Sequence, residues 1–156
     1  MYFWKIKTLK QRLIAEGLSQ KHLFIYMFIY VVLSELAFEV LYYVSIAGIN
    51  EYDYAQSVIN FVVICLGTFL IYRANGGSGG KQFAERYFSI GFVVAIRFIA
   101  LLIPIFIVLG IAWFNEPVDS ELPTTWYELV IFSIWMIGLY WRIIVHVKEV
   151  AVEATA

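Results

Sequence analysis

Apolar side chains dominate four stretches of the chain, and short polar connections separate them. The stretches cover about residues 22–47, 54–72, 88–114 and 126–147. Each is near the roughly 20 helical residues needed to cross a hydrocarbon core about 30 Å thick. A short acidic connection, 48–53, joins the first two, so spans one and two are expected to be antiparallel neighbours. The pattern predicts an all-α integral membrane protein, an antiparallel four-transmembrane-helix bundle, folded as a single domain over 1–156.

Residues 2–17 follow a different rule. Phe3, Ile6, Leu9 and Leu13 recur near helical spacing with Lys5, Lys7, Lys10 and Arg12 among them, which predicts an amphipathic helix. It is too basic to cross the bilayer and lacks the continuous apolar run of a cleavable signal peptide. It is expected to lie on the inner membrane surface with Phe3 and Trp4 at headgroup level. Gly17 is placed to end it and Ser19 to cap the next helix. Thr125 and Glu128 have capping-box spacing at the start of the fourth span. Pro104 lies inside the third and removes one backbone hydrogen bond. Residues 75–80, Asn-Gly-Gly-Ser-Gly-Gly, read as a flexible hinge.

Charge gives the bundle an orientation. Of eleven basic residues, all but Arg97 fall before span one, between spans two and three, or at the end of span four. The other two loops carry Glu51, Asp53, Glu116, Asp119 and Glu121 instead. Lysine and arginine are retained on the cytoplasmic side, so both termini are expected there, and a bacterial inner membrane fits best. Tyrosines and tryptophans cluster near both predicted boundaries, including Tyr52, Tyr54 and Trp126 at one and Tyr72, Tyr87 and Trp141 at the other. The apolar share of 62% and net charge of -1 leave no basic surface for nucleic acid.

Arg97 is the exception that asks for an explanation. It falls about 15 Å along span three at 1.5 Å per residue, near the bilayer centre. Glu35 reaches a comparable depth in span one, and Glu39 follows one turn later on the same face. An ionised side chain at mid-membrane costs roughly 2.5–3.5 kcal/mol or more. These groups are therefore expected to face the bundle interior, with Arg97 paired to Glu35, Glu39 or both. The simpler role is to fix which helix faces which. The chemical alternative is that the second carboxylate holds a proton or cation. Asn60 falls near the depth of Glu39 and is expected to make a local packing contact or hydrogen-bond to it. Arg86 and Lys81, beside the glycine-rich segment, are candidates for contact with an anionic lipid headgroup or an acidic partner. Plain positive-inside charge is the simpler reading of both.

Enzymatic chemistry finds no footing. Cys65 is the only cysteine, which excludes an internal disulfide, a Cys-x-x-Cys pair and the paired cysteines of quinone-linked disulfide-forming proteins. His22 and His146 lack metal-site spacing. Gly80-Lys81 is preceded by Asn75 and followed by Gln82 where a phosphate-binding loop needs glycine and serine or threonine. No catalytic residue, metal or cofactor is expected. A first-span glutamate such as Glu35 is superficially similar to that of small multidrug transporters, but this chain is longer and far more biased in charge. The expected function is a non-enzymatic accessory or regulatory subunit of a membrane complex. Its partners would be the lipid bilayer and another membrane protein or further copies of itself. The alternatives are a small proton- or cation-coupled transporter and an immunity protein against a pore-forming toxin.

Overall fold

The computed structural model describes residues 4–43, 50–114 and 124–154, with the side chains at 31, 34–43, 105–106 and 109–114 outside the description. These residues form five helices and no strand: α1 (Ile6–Ala15), α2 (Gln20–Tyr43), α3 (Glu51–Ala74), α4 (Phe83–Phe114) and α5 (Trp126–Glu153). A short 3-10 turn, Gly77–Gly79, joins α3 to α4. Among the described residues, three segments are long and apolar enough to cross a membrane: α3, Phe83–Pro104 of α4, and α5.

Local chemistry sets the helix ends. Gly17 adopts φ +75° and its amide donates to the Arg12 carbonyl at 3.0 Å, a left-handed stop that ends α1 where expected. The Ser19 hydroxyl accepts the His22 amide at 3.4 Å and starts α2. Glu128 reaches back to accept both the amide and the hydroxyl of Thr125 at 2.8 Å, as the spacing predicts. The start of α3 differs from expectation. Asn50 accepts the amides of Tyr52 and Asp53 at 2.9 and 3.1 Å, and Asp53 accepts the Asn50 amide at 2.9 Å. This reciprocal box begins the helix inside a segment that its acidic charge marked as loop. α4 continues through Pro104 to Phe114.

The pairings fix directions. Asn50 donates its side-chain amide to the Thr124 carbonyl at 2.7 Å, joining the N-terminal ends of α3 and α5. Further along, Gly67 of α3 lies against the Tyr140 ring of α5 so closely that a Cβ would overlap it. The two helices therefore run in the same direction in contact. α4 runs against them, since Phe98 stacks edge-on with Trp135 at 5.9 Å while Gly91, earlier in α4, lies near Ile143, later in α5.

The core gathers at the end where α3 turns into α4. Ile71, Ile90, Val93, Val147 and Val150 are fully buried there, and Leu9 and Leu13 of α1 join them. Here the expectation for α1 is corrected: Ile6, Leu9 and Leu13 do point one way, but they are buried in the core shared with α4 and α5, not left for lipid. Two tethers set its course. The Trp4 carbonyl accepts from Arg97, and the Leu18 amide donates to the Glu85 carboxylate. α1 therefore lies beside the Glu85–Arg97 stretch of α4, about 18 Å at helical rise, and not across the end of the bundle.

α2 also departs from a plain parallel span. Leu18, just before it, meets Glu85; Tyr26 packs on Phe92 at 5.5 Å; Tyr30 packs on Phe88 at 5.5 Å. The contact point does not advance along α4 as α2 proceeds, so α2 crosses α4 obliquely.

Candidate functional site at the turn between α3 and α4

The glycine-rich segment, expected to be a flexible hinge, is a closed turn organised by one side chain. Asn75, 2% exposed, donates its side-chain amide to the Lys81 carbonyl at 3.2 Å, and its Oδ1 accepts from Arg86 Nη1 at 2.9 Å. The amides of Gly79 and Gly80 close the turn onto the carbonyls of Gly76 and Gly77 at 3.2 and 3.1 Å. Gly76 adopts φ +100°, and a Cβ on Gly80 would overlap the Asn75 carbonyl. Backbone freedom and close approach are both needed here, which is why glycine recurs. Gln82 then enters α4 at φ +54°, a left-handed conformation that a non-glycine residue adopts at a cost.

Beside this turn lies a cavity of about 660 Å³, bounded by the C-terminal ends of α1, α3 and α5 and by the first turn of α4. Arg73, Lys81 and Arg86 line it, and among the described residues Glu16 is the one carboxylate side chain of the lining. Glu16 is itself 4.0 Å from Arg12. Arg86 is 4% exposed; besides its bond to Asn75, its Nε is buried with no hydrogen-bond partner. The preceding carboxylate, Glu85, accepts the Leu18 amide. The cavity thus presents an excess of fixed positive charge, one cation of which is held rigidly and incompletely satisfied.

A second polar group ties α1 to α5. Arg142 Nη2 lies 3.2 Å from His146 Nε2, His146 Nδ1 lies 3.1 Å from Glu149, and Glu149 forms an ion pair with Lys10 of α1. Arginine has no acceptor, so Nε2 accepts and Nδ1 carries the proton that it donates to Glu149. The chain of contacts is satisfied by a neutral imidazole. In sequence Lys10 and Arg142 read as independent positive-inside charges; nothing in the spacing shows that Lys10 meets Glu149.

The sequence-derived candidates separate. Lys81 and Arg86 share the cavity. Arg97 lies at the start of α1, donating to the Trp4 carbonyl with its guanidinium 5.6 Å from the Trp4 ring centroid, within cation–π range. Its Nε is buried without a partner. The side chains of Glu35 and Glu39, the proposed partners of Arg97, lie outside the described residues. Asn60 accepts from Gln56 one turn earlier in the same helix at 2.8 Å, a local contact. Among the described residues, no three histidine, cysteine or carboxylate side chains gather to hold a metal. Sequence reasoning missed Asn75. The signal available was an asparagine immediately before two glycines at a helix end, a common helix stop. No known protein family, curated protein or solved structure matches this chain.

Proposed function

We propose that the chain is a four-span protein of a bacterial inner membrane, with both termini cytoplasmic, acting as a non-enzymatic accessory or regulatory subunit of a larger membrane complex. Connectivity supports the fourth crossing. α2 begins beside Gln82 and Glu85, whereas α3 begins beside Thr124 at the opposite end of the bundle. The 24 residues of α2 supply about 36 Å at helical rise, a length suited to joining these two ends. The charge bias then assigns the Arg73, Lys81 and Arg86 end to the cytoplasm.

The observation that carries the functional reading is the outer face of α1. Lys5 and Lys7 are exposed and Arg12 is 42% exposed, on a helix that lies beside Glu85–Arg97, within a candidate span. Bare hydrocarbon against those cations would cost several kcal/mol in all, at roughly 2.5–3.5 kcal/mol or more each at the bilayer centre. That flank is therefore suited to water or protein, while Phe61, Phe69 and Leu70 of α3 offer lipid an apolar flank. A one-sided molecule of this kind suits a subunit that docks sideways.

A photo-crosslinking residue at Lys7 tests this directly. A discrete, stoichiometric membrane-protein adduct in cells is expected, and the same protein should co-purify in mild detergent. A lone chain with no adduct, showing cation or proton flux in liposomes that depends on Glu35, Glu39 or Arg97, would replace the proposal with transport.

A further inference from the structure

We infer that the cavity beside the α3–α4 turn is a binding site for a phosphate group, through Arg73, Lys81 and Arg86. This inference goes beyond the role as a subunit and does not require a protein partner. Three observations converge on it. The cavity, about 660 Å³, is in the size range of sites that enclose small ligands. Its described lining side chains carry three cations and one carboxylate, and that carboxylate is 4.0 Å from Arg12. Most tellingly, Arg86 is nearly inaccessible yet underused. Asn75 Oδ1 anchors one nitrogen and Nε has no partner.

Burying a guanidinium is unfavourable unless an anion or enough acceptors satisfy it. Glu85, next to Arg86, would be the obvious partner, but its carboxylate accepts the Leu18 amide on the α1–α2 side. A phosphate offers several strong acceptors and suits the forked donors of arginine, while lysine contributes a point charge. Asn75 and the closed glycine turn hold Arg86 and the Lys81 backbone in place before the ligand arrives, which limits the ordering cost of binding.

The phosphate has two possible sources. Arg73 follows directly on the apolar run of α3, so the cavity adjoins the headgroup zone and a phospholipid phosphate can reach it. A free phosphate can enter from the aqueous side. Native mass spectrometry of the intact chain, released from detergent with equal phosphatidylglycerol and phosphatidylcholine, tests the first. One phosphatidylglycerol should be retained per chain with about a tenfold preference. Calorimetry with inorganic pyrophosphate on the chain in phosphatidylcholine nanodiscs tests the second.

Arg73→Ala/Lys81→Ala removes two exposed cations and should reduce whichever binding is seen at least tenfold. Arg86→Lys keeps the charge but loses the fork, and should weaken binding while circular dichroism shows a retained helical fold. Lipid retention lost in these variants identifies a headgroup site, and pyrophosphate binding lost in them identifies a soluble phosphate site. If neither ligand binds the parent, or if binding survives all three substitutions, the inference is overturned.

Discussion

At the scale of single residues, the turn between α3 and α4 concentrates the special conformations. Gln82 is the one non-glycine with positive φ among the described residues, at +54°. Such a conformation costs about 1 kcal/mol, so Gln82→Gly should raise stability by about that amount. Gly17→Ala should do the opposite. It would impose the same strain at φ +75° and bring a Cβ within 2.8 Å of Gln82 Nε2, for a loss of about 1–2 kcal/mol. Thermal unfolding of both variants in one detergent checks the opposed signs; equal or reversed shifts would refute the strain argument. Gly17, Ser19 and the Thr125–Glu128 pair were legible in sequence because each acts within a few residues of itself. Asn75 was not, because its importance lies in reaching Arg86 across the turn, eleven positions away.

At the scale of elements, helix pairing rests on a small number of close approaches. Gly67→Ala would drive a methyl group into the Tyr140 ring and force α3 away from α5. Overpacking of this kind typically costs about 1–3 kcal/mol, so the variant should unfold at a lower temperature. An unchanged midpoint would mean that the ring is free to move. The docking of α1 is a separate matter. Lys10 and Glu149 are 20% and 42% exposed, so their pair should contribute only about 0.2–1 kcal/mol. A double-mutant cycle with Lys10→Ala and Glu149→Gln should therefore give a small coupling that shrinks with added salt. A coupling above about 2 kcal/mol would show that the pair is far less solvated than its exposure suggests. The spacing of Ile6, Leu9 and Leu13 revealed an apolar stripe, but not what it covers. Lipid and protein select the same amphipathic pattern, and only the tethers at Arg97 and Glu85 distinguish them.

At the scale of the whole molecule, hydropathy predicted membrane crossing, and the described residues supply three apolar helical segments of the required length. The path of α2 was not legible, because a hydropathy count records how many residues are apolar and not the angle at which a helix passes its neighbours. The proposed arrangement of four crossings with cytoplasmic ends makes a topological prediction. In a Cys65→Ser background, Ser120→Cys and Glu51→Cys should react with a membrane-impermeant maleimide in intact cells. Ser19→Cys and Ser78→Cys should react only after the inner membrane is opened. Labelling of Ser19→Cys and Glu51→Cys from the same side would remove the crossing assigned to α2.

The tether between α1 and α5 also has a consequence in time. Lys10 and Glu149 are 139 positions apart, so α1 leaves the ribosome well before α5 and meets this partner only after the intervening helices have followed. Until then the face bearing Ile6, Leu9 and Leu13 has no α5 to cover it. A growing chain shields such a surface on the nearest apolar phase or on a chaperone. The membrane surface that the basic, amphipathic pattern suits would then be a waiting place during synthesis, left when α5 arrives.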